Sequence, residues 1–153
     1  MPRTGGHSGY AALGVKPKSP LHAPMCEIKH KSYFSFGFIR NPWDRMYSCY
    51  RRQKSFSIYL GVSFKDYLMN RIEKDGVSRS AMTMLDGCSF IGRYESMDAD
   101  WNLIGKVLGI NIQKMPHINK YGESDYRNHY DDEMIEFVKN RYADDIEYGS
   151  YEF

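Results

Sequence analysis

One stretch of the sequence, residues 34–50, constrains the fold of this chain more than any other. A run of aromatic and β-branched residues, Phe34 to Ile39, stops at Arg40, and Asn41-Pro42 follows directly. Asparagine is a favoured helix N-cap, and proline fits the first helical position because its missing N–H is not needed there. The stretch therefore predicts a strand that leads directly into a helix.

The junction between this strand and this helix has the composition of a phosphate site. Arg40 ends the strand, and Ser48 lies two turns into the helix, so both side chains can face the same crevice. The start of a helix also offers free backbone N–H groups to an anion. We therefore expect a phosphate to bind at Arg40, Ser48 and the first N–H groups of the helix.

Length and charge limit the class of protein. A chain of 153 residues, 42% hydrophobic and 15% aromatic, is long enough for one domain with a core, so we expect a single domain over residues 1–153. Residues 1–54 contain ten Lys/Arg and two Asp/Glu, whereas residues 55–153 contain eleven and seventeen. The basic half holds the predicted phosphate site. This bias favours a polyanionic ligand, although solvated surface produces the same bias.

The cysteines and the hydropathy pattern point to a cytoplasmic protein. Cys26, Cys49 and Cys88 are scattered and form no C-x-x-C pair, so the sequence predicts neither a disulfide framework nor a zinc site. No apolar run reaches the roughly 18 residues that a membrane span requires. The first residues contain no apolar signal core. We therefore expect no membrane partner.

Strands and helices alternate along the rest of the chain. A second short apolar strand, Ser89–Gly92, is followed by Arg93, just as the first strand is followed by Arg40. Helical periodicity and capping residues predict helices over residues 43–54, 63–73, 80–85, 97–108 and 131–142. This alternation predicts an α/β domain with a mainly parallel sheet, in which ligands bind at the carboxyl ends of the strands.

The segment Arg3–Ser8 is a second candidate anion site. Its paired glycines allow backbone N–H groups to approach an anion closely, and a cation and two hydroxyls flank them. The segment lacks the G-x-x-x-x-G-K-[ST] spacing of nucleoside triphosphatases. A disordered glycine-rich terminus has the same composition, so both interpretations stay open on the residues alone.

The strand, the Asn41-Pro42 turn and the helix within residues 36–50 form a strand-to-helix motif, and further segments follow it at fixed spacing. Together they resemble the carbohydrate sulfotransferases, in the branch that includes heparan and chondroitin sulfotransferases and many bacterial and viral relatives. Phe36–Tyr50 is similar to the strand-to-helix motif of that family. The segments that agree with it in order and spacing are Phe90–Glu95, Pro116–Lys120, Tyr126–Asp132 and the closing Ile146–Phe153. Pro2–Ser8 is similar to the family's Pro-Lys-Thr-Gly-Gly-Thr-Ser loop, with arginine in place of lysine.

The resemblance implies a fold: a three-layer, P-loop NTPase-like sulfotransferase domain with a mainly parallel sheet. In that family a central strand precedes the glycine-containing loop. Only Met1 and Pro2 precede Arg3 in this sequence. The expected fold therefore lacks the first central strand.

The resemblance also implies a reaction. The donor would be 3′-phosphoadenosine 5′-phosphosulfate, the acceptor a hydroxyl of a carbohydrate or another molecule, and no metal would be needed. By position, Arg40 and Ser48 would bind the 3′-phosphate of the donor. The resemblance implies two further groups of donor-binding residues. The loop around the 5′-phosphosulfate would contain Arg3, Thr4, Gly5, Gly6, His7 and Ser8. The segments that close over the nucleotide would contain Arg93, Asn119 and Lys120.

Two residues are candidates for the chemistry itself. A neutral histidine suits a general base at neutral pH, and His22 lies at a distance before the first strand comparable to that of the catalytic histidine in related heparan-type enzymes. His7 and His117 are the competing candidates. Arg3, in the loop that would hold the sulfuryl end of the donor, is the second catalytic candidate.

Two other functions stay open on the sequence. The chain can be a truncated or non-catalytic nucleotide-binding relative, or a nucleic-acid-binding module built on the basic half, although we expect no nucleic-acid partner. A homo-oligomer is also left open. Tyr59, Tyr126 and Tyr130 are candidate stacking surfaces for a sugar, and ordinary tyrosine-rich surface is the alternative.

Overall fold

The computed structural model of the chain describes residues 9, 13–14, 24–25, 33–54, 56, 59–72, 79–111 and 125–153. The predicted site residues in Arg3–Ser8, at His22 and at Asn119 and Lys120 lie outside these residues. The structure therefore describes three of the predicted donor-binding residues, Arg40, Ser48 and Arg93.

The described residues form two short strands and a series of helices. Strand β1 spans Phe36–Ile39 and strand β2 spans Phe90–Arg93. The α-helices are α1 (Pro42–Gln53), α2 (Phe64–Asp66, continued by a π-helix over Tyr67–Arg71), α3 (Ala81–Leu85), α4 (Met97–Leu108), α5 (Asp132–Arg141) and α6 (Ala143–Gly149). Single 3₁₀ turns cover Tyr94–Ser96 and Tyr126–His129. The two strands and four of the five helices predicted above are present with small shifts at their ends, whereas most of the helix predicted over 63–73 is a π-helix and α6 was not predicted.

The two strands pair in parallel. Phe36 lies opposite Phe90, and Ile39 lies opposite Arg93. A parallel pair requires a long crossover, and here helices α1, α2 and α3 lie in the sequence between the strands. The mixed α/β arrangement predicted from the sequence is confirmed for the described residues. The larger parallel sheet and the P-loop-like topology stay predictions.

The strand pair is packed on both faces. Because side chains alternate along a strand, Phe36 and Phe38 point to one face, where Trp101 of α4 packs against both rings at centroid distances of 5.3 and 5.6 Å. Ile39 and Ile91 belong to the opposite face and pack in the larger hydrophobic core. That core also contains buried residues of helices α1 to α3 and α5. The strand ends are therefore held between helical layers.

Helix α1 begins as the sequence predicts. The Asn41 side-chain oxygen accepts hydrogen bonds from the backbone N–H of Trp43 at 3.1 Å and of Asp44 at 3.4 Å, and Pro42 occupies the first helical position. The buried face of the helix includes Trp43, Met46 and Tyr50. This cap fixes the direction in which the chain leaves β1.

The C-terminal residues return to the start of α1. The Phe153 ring packs edge-on against Trp43, with ring centroids 5.8 Å apart, and also against Tyr126 and Tyr130. The Asn41 side-chain amide donates to the backbone carbonyl of Glu152 at 2.9 Å. The strand-to-helix junction is thus covered by the end of the chain.

Among the described helices, none combines the length and the apolar character of a membrane span.

Candidate functional site

The end of β1 and the first turns of α1 bring Arg40, Asp44 and Ser48 together. Asp44 and Ser48 lie four positions apart on one face of α1, and Arg40 reaches both from the residue before the N-cap, so the three side chains form one row. Arg40 Nε donates to Asp44 Oδ2 at 2.7 Å, and Arg40 Nη2 lies 2.6 Å from the same oxygen. Arg40 Nη1 donates to Ser48 Oγ at 3.4 Å. Arg40 and Ser48 therefore face each other, as their positions in the sequence predict.

This row of side chains is largely shielded from solvent. The side chains of Arg40 and Asp44 are 11% and 20% exposed, and Ser48 is buried. The Tyr94 ring lies over the Arg40 guanidinium, 4.3 Å from centroid to Cζ. Coulomb interactions are stronger in such surroundings than in water. A guanidinium edge beside a hydroxyl in this position can bind a phosphate oxygen, while Asp44 offsets one unit of the positive charge.

The start of α1 does not offer the free N–H groups that the sequence predicts. The N–H groups of Trp43 and Asp44 donate to the Asn41 side chain, and the Asn41 N–H donates to Glu95 Oε1 at 2.7 Å. Pro42 has no N–H to donate. The expectation that these backbone groups bind an anion was wrong, because side chains of the protein already accept their hydrogen bonds. The predicted phosphate ligands that remain at this junction are the side chains of Arg40 and Ser48.

Arg93 lies at the same edge of the strand pair. Its backbone is in register with Ile39, the residue before Arg40, and its N–H donates to Asp100 Oδ2 at 2.7 Å. Its guanidinium lies over the Tyr151 ring, 5.0 Å from the centroid, and its side chain is exposed. The parallel pairing therefore brings the two strand-ending arginines to one edge, each with an aromatic ring against its guanidinium.

Sequence reasoning missed Glu95 and Tyr151 as parts of this junction. Glu95 Oε2 accepts a hydrogen bond from the Tyr151 hydroxyl at 2.9 Å, and its other oxygen holds the Asn41 N–H. Burial first, and then the neighbouring Glu95 charge, raise the pKa of Tyr151 well above its ordinary value. The available signal was the position of Glu95, two residues beyond the carboxyl end of a parallel strand, where α/β sheets generally bind their ligands.

The tyrosines proposed as sugar platforms belong to the core. Tyr59 and Tyr126 are 6% and 7% exposed and lie in the main hydrophobic cluster. Tyr130 packs on Phe64 and Phe153, and its hydroxyl donates to the Trp43 carbonyl at 2.8 Å. Burial raises the pKa of Tyr130 well above its ordinary value. The prediction of an exposed stacking surface was wrong, and so was the alternative of ordinary tyrosine-rich surface, because these rings fill space between helices.

The roles of several predicted site residues stay predictions, because these residues lie outside the part of the chain that the structure describes. They are Arg3–Ser8, the predicted base His22, Asn119 and Lys120. Within the residues that the structure describes, no group of three or more His, Cys, Asp or Glu side chains is arranged to hold a metal ion.

Comparison with known proteins identifies the family. The model of the sulfotransferase family matches residues 15–152. The chain belongs to the sulfotransferase family. The matched range includes Arg40, Ser48 and Arg93, together with His22, Asn119 and Lys120, and it begins after Arg3–Ser8.

This chain is similar to an uncharacterized protein of Archaeoglobus fulgidus. It is 27% identical to this chain over 103 residues, which cover 62% of this chain and 83% of that protein. No solved structure matches the chain with significance. Membership in the sulfotransferase family supports sulfuryl transfer as the activity of this protein.

Proposed function

We propose that this member of the sulfotransferase family transfers a sulfuryl group from 3′-phosphoadenosine 5′-phosphosulfate to a hydroxyl of a carbohydrate or a similar acceptor. The observation that carries the proposal is the pairing of Arg40 with Ser48 at the carboxyl end of β1, with Nη1 3.4 Å from Oγ. The family match across both residues supports the same donor.

Arg40 and Ser48 fit the 3′-phosphate of that donor. Asp44 holds the Nε and Nη2 atoms of Arg40, so a phosphate oxygen would bind on the Nη1 side of the guanidinium, beside the Ser48 hydroxyl. Both side chains are shielded from solvent, which strengthens the hydrogen bonds that they offer to a phosphate, while the charge of Asp44 opposes binding. A nucleotide without a 3′-phosphate has no group for this pair.

The remaining donor contacts are proposed by position in the chain. Arg3–Ser8 would surround the 5′-phosphosulfate with backbone N–H groups, hydroxyls and a cation. Arg93, Asn119 and Lys120 would close over the nucleotide. We place these residues in a single domain over residues 1–153 with a P-loop NTPase-like sulfotransferase fold.

His22 and Arg3 are the proposed catalytic residues. The donor supplies a sulfuryl group activated by its bond to phosphate, and no metal is required. An imidazole nitrogen of His22 accepts the proton of the acceptor hydroxyl, because neutral histidine is a suitable base near neutral pH. The Arg3 guanidinium stabilises the negative charge that develops on the departing phosphate.

A transfer assay tests this function. The wild-type protein is incubated with a donor whose sulfuryl group is radiolabelled and with a panel of sulfated and unsulfated oligosaccharides. The Arg40→Ala variant is assayed in the same way for comparison. We expect label to move to at least one oligosaccharide with the wild type and to fall sharply with the variant. Nucleotide binding without transfer to any acceptor would instead indicate a non-catalytic relative. Steeply salt-dependent binding of RNA or DNA without a preference for the nucleotide would indicate a nucleic-acid module.

A further inference from the structure

Glu95 connects two parts of the chain to the turn that carries Arg40. Its Oε1 accepts the backbone N–H of Asn41 at 2.7 Å, and its Oε2 accepts the hydroxyl of Tyr151 at 2.9 Å. Asn41 is the residue directly after Arg40. One carboxylate therefore fixes the backbone beside the proposed phosphate-binding arginine and fixes the C-terminal segment at the same time.

The contacts around Glu95 restrain Arg40 from several directions. On one side of Arg40, Ile39 is in parallel register with Arg93. On the other side, Asn41 is held by Glu95 and by the Glu152 carbonyl. The Tyr94 ring lies 4.3 Å from the Arg40 guanidinium. Residues 93–95 thus contact the backbone before Arg40, its side chain and the backbone after it.

A carboxylate beside an anion site opposes anion binding through its charge. Glu95 favours phosphate binding only through the hydrogen bond by which it holds the Arg40-bearing turn. A hydrogen bond from a backbone N–H to a charged carboxylate is shorter and stronger than one to a neutral group, so it restricts the movement of Asn41. A shift of about 1 Å in a residue that positions a ligand is enough to lower activity by a large factor.

We propose that Glu95 is a positioning residue, which holds the Arg40-bearing turn in the geometry that recognises a 3′-phosphate. This inference rests on the proposed function. According to this inference, Glu95 acts through Arg40 and increases the preference of the site for nucleotides with a 3′-phosphate. This effect is separate from any contribution of Glu95 to the stability of the fold.

Calorimetric titration of Glu95 variants with adenosine 3′,5′-bisphosphate and with adenosine 5′-monophosphate tests this role. Glu95→Ala should weaken bisphosphate binding by about tenfold or more and leave monophosphate binding within about twofold. Glu95→Gln should lose less bisphosphate affinity than Glu95→Ala, because its amide oxygen still accepts the Asn41 N–H, through a weaker hydrogen bond than that of the carboxylate. If Glu95 acts only by its charge, both variants bind the bisphosphate more tightly than the wild type, and the inference fails.

Two controls separate positioning from general stability. Asp131 also accepts a backbone N–H, from Met134 at 2.9 Å, but lies at the start of α5. Asp131→Ala should leave the ratio of the two nucleotide affinities unchanged. In an Arg40→Ala background, Glu95→Ala should cause no further loss of bisphosphate affinity, because its effect passes through Arg40. A further loss there would overturn the inference.

Glu95→Asp replaces Glu95→Ala in this test if Glu95→Ala does not fold. It keeps the carboxylate charge, but its shorter side chain no longer reaches the Asn41 N–H. It should also lose bisphosphate affinity selectively. If the variant that folds, Glu95→Ala or in its place Glu95→Asp, keeps the wild-type preference for the bisphosphate, the positioning role is wrong while the proposed function stands. If the wild type itself shows no preference for the bisphosphate, the proposed function fails and this inference fails with it.

Discussion

Arg45 and Asp145 form an ion pair that is fully buried although the two residues are 100 positions apart in the chain. Arg45 Nη2 lies 3.4 Å from Asp145 Oδ2, and the side chains are 1% and 0% exposed. The Asp145 carboxylate also accepts the Ser80 hydroxyl at 2.5 Å and the N–H groups of Ala81 at 2.8 Å and Met82 at 2.9 Å. Asp145 in α6 therefore ties together α1 and the start of α3.

Asp145→Ala should lower the free energy of unfolding by about 3–5 kcal/mol, because it leaves a buried guanidinium without its counter-charge and several donors without their acceptor. Urea denaturation of the purified protein measures this change. Asp144→Ala is the matched control, since Asp144 is the exposed neighbour on the same helix, and should change stability by no more than about 0.5 kcal/mol. Equal effects of the two substitutions would show that the buried network does not stabilise the fold.

We predict that the folded protein loses stability in alkaline solution because of Tyr151. Its pKa is raised in the folded protein by burial and by Glu95, whereas an unfolded tyrosine ionises near pH 10. Above about pH 10 the unfolded chain has released a proton that the folded protein still binds, so the free energy of unfolding falls as the pH rises. Below that pH the contribution is fully present.

Thermal melts of the wild type and of Tyr151→Phe between about pH 8 and pH 11 check this linkage. The variant should be less stable near neutral pH, because it lacks the hydrogen bond to Glu95, and its Tm should fall less steeply above pH 10. Tyr148→Phe is the control, because Tyr148 is 50% exposed. Parallel Tm curves for the wild type and Tyr151→Phe would contradict the account of Tyr151.

The strand-to-helix junction was predictable because its signals are local. An apolar run, an N-cap asparagine and a proline at the first helical position depend only on neighbouring residues, and the structure confirms the strand and the cap at Asn41. Arg40 lies just before the helix and Ser48 two turns into it, so their contact follows from this local junction. These features need no knowledge of the rest of the chain.

The parts that the sequence did not reveal depend on contacts between distant residues. Glu95 reaches Asn41 across 54 positions, and Asp145 reaches Arg45 across 100. No local pattern identifies such partners. The buried positions of Tyr59 and Tyr126 were missed for the same reason, since tyrosine suits both surfaces and cores and only packing decides between them.

His22→Ala tests the proposed base. The variant should bind adenosine 3′,5′-bisphosphate like the wild type and should lose sulfuryl transfer by a factor of about 10² to 10⁴, because the acceptor hydroxyl keeps its proton. His7→Ala and His117→Ala are the comparison variants. Full transfer activity in His22→Ala would remove this residue from the mechanism, and a selective loss in one of the other two would identify that histidine as the base.

The most direct test of the central claim is a calorimetric titration of the wild type and Arg40→Ala with adenosine 3′,5′-bisphosphate and adenosine 5′-monophosphate. The wild type should prefer the bisphosphate, and Arg40→Ala should weaken only that ligand, by about tenfold to a hundredfold, as expected for lost hydrogen bonds to a charged group. Arg52→Ala, which removes an exposed arginine of the same helix, should bind both nucleotides like the wild type. Absence of bisphosphate binding to the wild type, or an unchanged preference in Arg40→Ala, would contradict a 3′-phosphate site at Arg40 and Ser48.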